Sequence, residues 1–198
     1  MSADFEAGFA QALAGKARSP LPRAYWVLPG LFLAGSYPGL PGLRTEGPAA
    51  LEPALSALLG AGVRRVVRLV EEREIGEGED RLPSYDAILR ALARERGFNL
   101  EILSRPIRDY GVPSREEMEG ILDAIDESLG LGLPLYLHCW GGLGRTGTVV
   151  GCWIVRRGLA RGGEALAALA RLRAGAENAS RPSPETAEQE DFVRSWGA

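Results

Sequence analysis

One short segment, residues 137–148, combines residue types that suit an anion and a nucleophile. Its sequence is Leu-His-Cys-Trp-Gly-Gly-Leu-Gly-Arg-Thr-Gly-Thr, and it holds the only histidine of the chain and one of its two cysteines. Glycines leave backbone N–H groups free to turn towards an anion, and an arginine binds two oxygens at once through its planar fork. The pattern therefore predicts a cradle for a tetrahedral dianion. Its members would be Trp140, Gly141, Gly142, Leu143, Gly144 and Arg145.

The cysteine of this segment, Cys139, is predicted to be a nucleophile. A thiol at a helix N-terminus beside a cation loses its proton more readily than a free thiol, because the donors that hold an anion also stabilise a thiolate. We expect Thr146 to donate a hydrogen bond to the sulfur, and His138 to hold the loop through hydrogen bonds rather than act as a base. Taken singly, each feature has a structural alternative, since a glycine-rich turn and a small buried cysteine are common in folded proteins.

A phosphoryl group is a tetrahedral dianion that such a cradle could bind and such a cysteine could attack. Its transfer to Cys139 would also need an acid that protonates the leaving oxygen. The segment Arg-Pro-Ile-Arg-Asp-Tyr-Gly-Val-Pro, residues 105–113, follows a predicted strand and precedes a predicted helix. Asp109 is the candidate acid, and it would become the base for the attacking water in the second half of the reaction. The alternative is that Asp109 stabilises a turn, which aspartate does well.

The elements that must position these residues follow from hydrophobic periodicity and from turn and capping residues. Short strands alternate with helices, which predicts an α/β fold with a central, mostly parallel sheet of about four to five strands and helices on both faces. We expect strands at 26–34 (two, joined at Pro29-Gly30), 63–70, 99–103 and 134–137, and loops at 35–47 and 71–80, the second acidic and solvated. We expect helices at 48–59, 84–96, 114–129, 147–157, 163–173 and 184–196, with Ser114 and Ser183 as N-caps and Pro184 in the first turn of the last helix.

The run of His138-Cys139, five residues and Arg145-Thr146 resembles the signature of cysteine-dependent protein tyrosine and dual-specificity phosphatases. The resemblance is strongest over 99–157, and the chain length suits the compact bacterial dual-specificity-like type. It implies a phosphotyrosine phosphatase-like fold and hydrolysis of phosphotyrosine, with or without phosphoserine and phosphothreonine, through a cysteinyl-phosphate. In the family an aspartate on a movable loop is the acid, which matches Asp109, and a glutamine orients the water, which makes Gln189 a candidate. For Gln189 the alternative is an exposed helical side chain.

Other functions remain open at this point. The same chemistry could act on a small phosphorylated metabolite or nucleotide, and a non-catalytic phosphate-binding module could use the same cradle. A thiol oxidoreductase or sulfurtransferase is disfavoured because the chain has no Cys-x-x-Cys pair. Cys152 would lie roughly 10 Å or more along a helix from Cys139, beyond the disulfide reach of about 7 Å, so we expect it to be a buried packing residue.

Composition narrows the partners and the setting. A net charge of −3 gives no electrostatic footprint for nucleic acid or a membrane surface, and we expect neither as a partner. No cofactor or metal is expected. The N-terminus does not resemble a secretory signal, and two cysteines make no disulfide framework. These two features predict a cytoplasmic setting. We expect an N-terminal arm over 1–22 and one domain over 23–198. The oligomeric state is left open.

Overall fold

A five-stranded sheet forms the centre of the fold. The computed structural model describes residues 2–15, 17–76, 78 and 81–197. The strand order is β1-β2-β5-β3-β4, with β1 antiparallel to β2 and all other neighbours parallel. This confirms the predicted α/β class and its mostly parallel sheet. The strands are β1 (Ala24–Leu28), β2 (Phe32–Gly35), β3 (Arg65–Arg68), β4 (Glu101–Ser104) and β5 (Leu135–His138).

The carboxyl ends of four strands meet at one edge of the sheet. Gly35 of β2 and Arg68 of β3 both lie beside His138 of β5, and Arg68 also lies beside Ser104 of β4. Ligands of open α/β sheets bind at such an edge. The loops that follow β3, β4 and β5 are therefore brought together by the register alone.

Helices cover both faces of the sheet and enclose two apolar cores. Leu55 and Leu89 belong to the core under α3 (51–60) and α4 (86–95), whereas Leu122 and Val150 belong to the core under α5 (115–130) and α6 (144–156). The helices turn apolar side chains towards these cores, which removes apolar area from water. The helices are α1 (Ser2–Leu13), α2 (Leu40–Glu46), α3 (Leu51–Gly60), α4 (Asp86–Glu95), α5 (Arg115–Gly130), α6 (Gly144–Arg156), α7 (Gly162–Leu172) and α8 (Ala187–Ser195).

Helix α6 is the central helix, and residues 144–154 are all buried. Two of its glycines allow close packing against the C-terminal part of the chain. A Cβ on Gly147 would lie 2.3 Å from the Ser183 hydroxyl oxygen, and one on Gly151 would lie 2.8 Å from Val193. The C-terminal segment is therefore packed directly on the helix that follows Cys139.

The prediction of a loop over 35–47 is wrong in its second half, because α2 occupies Leu40–Glu46. Pro41 lies in the first turn of this helix, where the N–H that proline lacks would have no intrahelical partner. Proline there marks the start of a helix and not its absence.

The start of the last helix is also corrected. Thr186 is the N-cap of α8 and accepts a hydrogen bond from the backbone N–H of Gln189, at 3.2 Å. Ser183, the predicted cap, instead donates to the carbonyl of Leu143 at 2.8 Å. In sequence, Ser183 before Pro184 matches the signal of an N-cap as well as Thr186 does. The hydrogen bond from Ser183 to Leu143 leaves Thr186 as the cap.

The N-terminal residues form helix α1, which contributes Phe9 and Ala12 to the core shared by α5 and α6. Met1 and Lys16 of the predicted arm, and Ala198 at the other end, lie outside the described residues. The division into 1–22 and 23–198 stays a prediction. Among the described residues, none of the helices has the length and apolar character needed to cross a membrane.

Candidate active site

Residues 139–145, here called the cysteine loop, follow β5 and include the first two residues of α6. The side chains of Cys139 and Arg145 are 2% and 1% exposed. Gly142 has a φ of 73°, and a Cβ there would lie 2.5 Å from the backbone of Gly35 and Ser36. A larger residue would push the loop away from β2, so glycine at 142 fixes the path of the loop.

His138 connects the sheet to the cysteine loop. Its Nδ1 lies 2.9 Å from the carbonyl oxygen of Cys139, and its Nε2 lies 2.7 Å from the hydroxyl of Tyr85. A carbonyl only accepts, so Nδ1 carries the hydrogen and Nε2 accepts from Tyr85. Burial lowers the pKa of His138 to about 3, with Arg68 and Arg145 lowering it further against the hydrogen bond to Cys139. The ring is therefore uncharged at neutral pH.

Thr146 forms a different hydrogen bond from the one predicted. Its hydroxyl donates to the carbonyl of Gly35 at 3.3 Å and is not directed at the sulfur of Cys139. The reason is the sheet register, which places Gly35 beside His138 and leaves its carbonyl facing the start of α6. The second cysteine, Cys152, is free and fully buried, and burial raises its pKa well above the usual value.

Arg145 is held by a carboxylate that the sequence did not indicate. Its Nη1 and Nη2 lie 2.6 Å and 2.9 Å from the two carboxylate oxygens of Glu74, whose side chain is 11% exposed. Burial alone would lower the pKa of Arg145, but the Glu74 carboxylate, with Cys139 and Asp109, raises it above the usual value. The arginine is charged at every accessible pH.

The prediction of a solvated loop over 71–80 is therefore wrong at Glu74. A 3₁₀ turn over Glu72–Glu74 follows β3, and Glu74 also accepts a hydrogen bond from the backbone N–H of Glu71. Ile75, an apolar residue within an acidic run, was the one sequence signal that this part of the loop turns inward. Glu77, Glu79 and Asp80 of the same prediction lie outside the described residues.

Residues 105–113, here called the aspartate loop, follow β4 and reach the same edge. An Asp109 carboxylate oxygen lies 2.9 Å from Nη2 of Arg145, and Arg145 Nη1 donates to the carbonyl of Ile107 at 3.2 Å. The Asp109 side chain is 46% exposed. Tyr110, the next residue, is 61% exposed and has a φ of 59°, which is uncommon outside glycine. The structure thus brings the predicted acid to the predicted phosphate-binding arginine.

The segment 178–189, here called the brace segment, contacts the cysteine loop at three backbone groups. Asn178 donates to the Gly141 carbonyl at 3.0 Å, Ser183 donates to the Leu143 carbonyl, and the Glu185 carboxylate accepts from the Gly144 N–H at 3.0 Å. These contacts were missed because they join positions far apart in the chain. The alternative of an exposed Gln189 is wrong, since this side chain is fully buried.

A nucleophile, a cation and an acid are therefore collected at one sheet edge, in front of the N-terminus of a buried helix. The positive end of the helix dipole favours an anion there. Trp140, the first residue after Cys139, is only partly exposed, and its carbonyl accepts from the Tyr37 N–H at 2.8 Å. This arrangement suits transfer of a phosphoryl group from an oxygen to a sulfur.

Two solved structures illustrate proteins with the same fold. Tk-PTP in its active form is 28% identical, with a TM-score of 0.63, over 87% of this chain and 95% of that protein. TpbA of P. aeruginosa in complex with pTyr has a TM-score of 0.60 over 92% of this chain and 89% of TpbA, at 15% identity, and so shows the fold alone. The fold and the site together define a protein tyrosine and dual-specificity phosphatase class.

The family follows from the sequence comparison. The family described as polymorphic toxin system, DSP-PTPase phosphatase matches residues 42–159, more than half of the chain, and the chain belongs to this family. Two uncharacterized proteins of Methanocaldococcus jannaschii, MJECL20 and MJ0215, are 41% identical over 59 residues and 35% identical over 99 residues. These matches cover 30% and 50% of this chain, which spans only 40% and 57% of the lengths of those relatives.

Proposed function

We propose that this protein hydrolyses phosphate monoesters, with phosphotyrosine in proteins as the substrate, through a cysteinyl-phosphate intermediate. The observation that carries the proposal is the 2.9 Å contact between Asp109 and Arg145, with Cys139 in the same loop as that arginine. A nucleophile, an oxyanion-binding cation and an acid at one point form the minimum set for this chemistry.

In the first half-reaction the Cys139 thiolate attacks phosphorus, and the bond between phosphorus and the leaving oxygen breaks. The electron pair of that bond goes to the leaving oxygen, which takes a proton from the Asp109 carboxylic acid. Arg145 and the N–H groups of the cysteine loop bind the three remaining phosphoryl oxygens, whose charge they stabilise in the transition state. The products are an alcohol or phenol and a phosphate ester of Cys139.

In the second half-reaction a water molecule attacks phosphorus, and the Asp109 carboxylate takes a proton from it. The sulfur–phosphorus bond breaks, its electron pair returns to Cys139, and inorganic phosphate leaves. Asp109 is then protonated and Cys139 is again a thiolate, so the cycle balances without a metal or a redox partner. His138 stays neutral and holds the loop backbone throughout.

The preference for phosphotyrosine is supported by Tyr110. This aromatic ring is 61% exposed beside Asp109, at a left-handed backbone position that any side chain other than glycine finds unfavourable. A large exposed ring at the mouth of a phosphate site suits packing against the phenyl ring of a substrate. A phosphoserine or a sugar phosphate has no aromatic ring to pack.

The test is a panel of a phosphotyrosine peptide, the matched phosphoserine peptide, a nucleoside monophosphate and a sugar phosphate, assayed with EDTA present. We expect the phosphotyrosine peptide to have the highest kcat/KM. A higher value for the nucleotide or the sugar phosphate would assign the site to a small metabolite. Binding of phosphate without turnover of any substrate would indicate a phosphate-binding module.

Tyr110→Ala should lower kcat/KM for the phosphotyrosine peptide by about three- to tenfold, the worth of one aromatic contact, and leave the phosphoserine peptide unchanged. Leu131→Ala is the matched control, since Leu131 is 63% exposed and precedes the amino end of β5, away from the site. Equal changes on both peptides for Tyr110→Ala would remove the ring from substrate recognition.

A further inference from the structure

We propose that Gln189 is a positioning residue that ties the aspartate loop to the N-terminus of α8, beside the cysteine loop, and that it does not orient the attacking water. The proposal rests on the proposed function, because the loop that Gln189 holds carries the acid Asp109. Gln189 lies outside residues 42–159, the part that matches the phosphatase family. Its side chain is nonetheless fully buried at the junction of three segments of the site.

The carboxamide of Gln189 bonds to the backbone of two segments. Its Oε1 accepts from the N–H of Glu185 at 3.1 Å and from the N–H of Thr186 at 3.3 Å. Its Nε2 donates to the carbonyl of Gly111 at 3.0 Å. The first two bonds complete the N-terminus of α8, and the third reaches across to the aspartate loop.

The orientation of this carboxamide is fixed by its partners. Turning the amide over would place Oε1 against the Gly111 carbonyl and Nε2 against two N–H donors, so every contact would become repulsive. An amide oxygen has two lone pairs, and both are used by Glu185 and Thr186. No acceptor is left to take a hydrogen bond from an attacking water, which is why we assign Gln189 a holding role.

Gln189 also rests against the cysteine loop. A Cβ added to Gly144 would lie 2.9 Å from Oε1 and 3.1 Å from Nε2 of Gln189. Only glycine at 144 lets the carboxamide lie this close to the residue that precedes Arg145. The carboxamide of Gln189 therefore lies between Gly111 of the aspartate loop and Gly144, the residue before Arg145.

The bond to Gly111 completes an anchored turn around Asp109. The N–H of Gly111 donates to the carbonyl of Arg108 at 3.0 Å, while its carbonyl accepts from Gln189. Asp109 and Tyr110 lie inside this turn and are largely exposed, so the backbone on each side must hold them. Without the Gln189 bond the turn keeps its internal hydrogen bond and the contact of Asp109 with Arg145, but the backbone after Asp109 loses its anchor. Once substrate phosphate occupies Arg145, Asp109 is then no longer held in one place for proton transfer.

Gln189→Glu is the sharpest test, because glutamate keeps the size of the side chain and can still accept from Glu185 and Thr186, but when ionised it cannot donate to Gly111. Gln189→Met is a second, uncharged variant. Thr186→Ala is the control, since it removes the 3.2 Å cap bond of the same helix and leaves the carboxamide in place. All three are compared with the unmodified protein above pH 7.

Two measurements decide the proposal. Hydrogen–deuterium exchange of peptides covering 105–113 should accelerate at least about tenfold in both Gln189 variants and not in Thr186→Ala, because local opening exposes these amides. Turnover of phenyl phosphate, which has a poor leaving group, should fall about tenfold in the Gln189 variants, while p-nitrophenyl phosphate changes less than about twofold. A merely structural defect would lower both substrates equally.

Unchanged exchange in residues 105–113 would overturn the proposal, and so would equal losses on the two substrates. A protein that hydrolyses neither substrate would contradict the proposed function. Hydrogen–deuterium exchange does not depend on activity, so it would still decide whether Gln189 holds the aspartate loop. Thr186→Ala matching the Gln189 variants in both measurements would assign the effect to the helix end and not to the bond with Gly111.

Discussion

The two loops of the site differ in how the protein holds them. In the cysteine loop, Cys139 and Arg145 are almost completely buried. The backbone of this loop is hydrogen-bonded to the brace segment at Gly141 and Leu143, and Gly142 packs against the end of β2. In the aspartate loop, Asp109 and Tyr110 are about half exposed or more, and the carbonyl of Gly111 carries the anchor to Gln189. The cysteine loop is part of the protein core, whereas the tip of the aspartate loop lies at the protein surface.

This difference corresponds to the two ends of a phosphate monoester. The phosphoryl group is the same in every substrate, so a rigid, preorganised cradle suits it. The leaving group differs between substrates and must enter and depart, which suits an exposed loop with an aromatic side chain. Changes in the cysteine loop should therefore affect all substrates alike, and changes in the aspartate loop should depend on the leaving group.

Asp109→Asn gives the largest expected contrast. Without the acid, kcat/KM for phenyl phosphate should fall about 10²-fold or more, because the phenolate must leave unprotonated. For p-nitrophenyl phosphate, whose leaving group is stable as an anion, the loss should be only a few-fold. Parallel losses on the two esters, measured under the same conditions, would place the acid on another residue.

His138→Gln tests whether His138 is buried beside the cradle, through the pH dependence of the free energy of unfolding. The pKa of His138 is about 3 in the folded protein against 6.5 as the ordinary value. The unfolded chain therefore binds the extra proton between these values, and the stability due to the neutral ring is complete above pH 6.5 and is lost as the pH falls towards 3. From pH 7 to pH 4.5 the free energy of unfolding should fall by up to about 3 kcal/mol more in the unmodified protein than in the variant. Identical pH dependence in urea titrations would mean that His138 is solvated.

Glu74→Gln should have the smallest effect. Loss of the charged pair with Arg145 loosens the guanidinium and should lower kcat/KM about tenfold, equally for good and poor leaving groups, because only the phosphoryl end is touched. Tighter binding of vanadate or faster turnover in this variant would show that Glu74 competes with the substrate for Arg145 instead of orienting it.

Much of the cradle could be predicted because its signals are local. The glycines, Cys139 and Arg145 lie within one short segment, and Ser114 and Glu117 form the capping box that the sequence indicated. Asp109 was found from a chemical requirement and the order of the elements. Such features depend on residues near in sequence or on the known geometry of a parallel sheet.

The remaining parts of the site depend on contacts between distant residues. Glu74 looked solvated because its neighbours are acidic, and only the register of β3 beside β5 carries it to Arg145. For Gln189 the sequence indicates either a residue that orients water, from the family resemblance, or an exposed helical residue, since nothing in its own segment indicates the Gly111 carbonyl. The polar residues that hold a site are thus harder to predict than those that perform its chemistry.

The most direct test of the central claim is to trap the phosphoenzyme. Rapid quenching of the protein during turnover of a labelled aryl phosphate, followed by peptide mapping, should place one phosphate on Cys139, and Cys139→Ser should lose both the label and the turnover. Label on any other residue, or turnover retained by Cys139→Ser, would contradict the account.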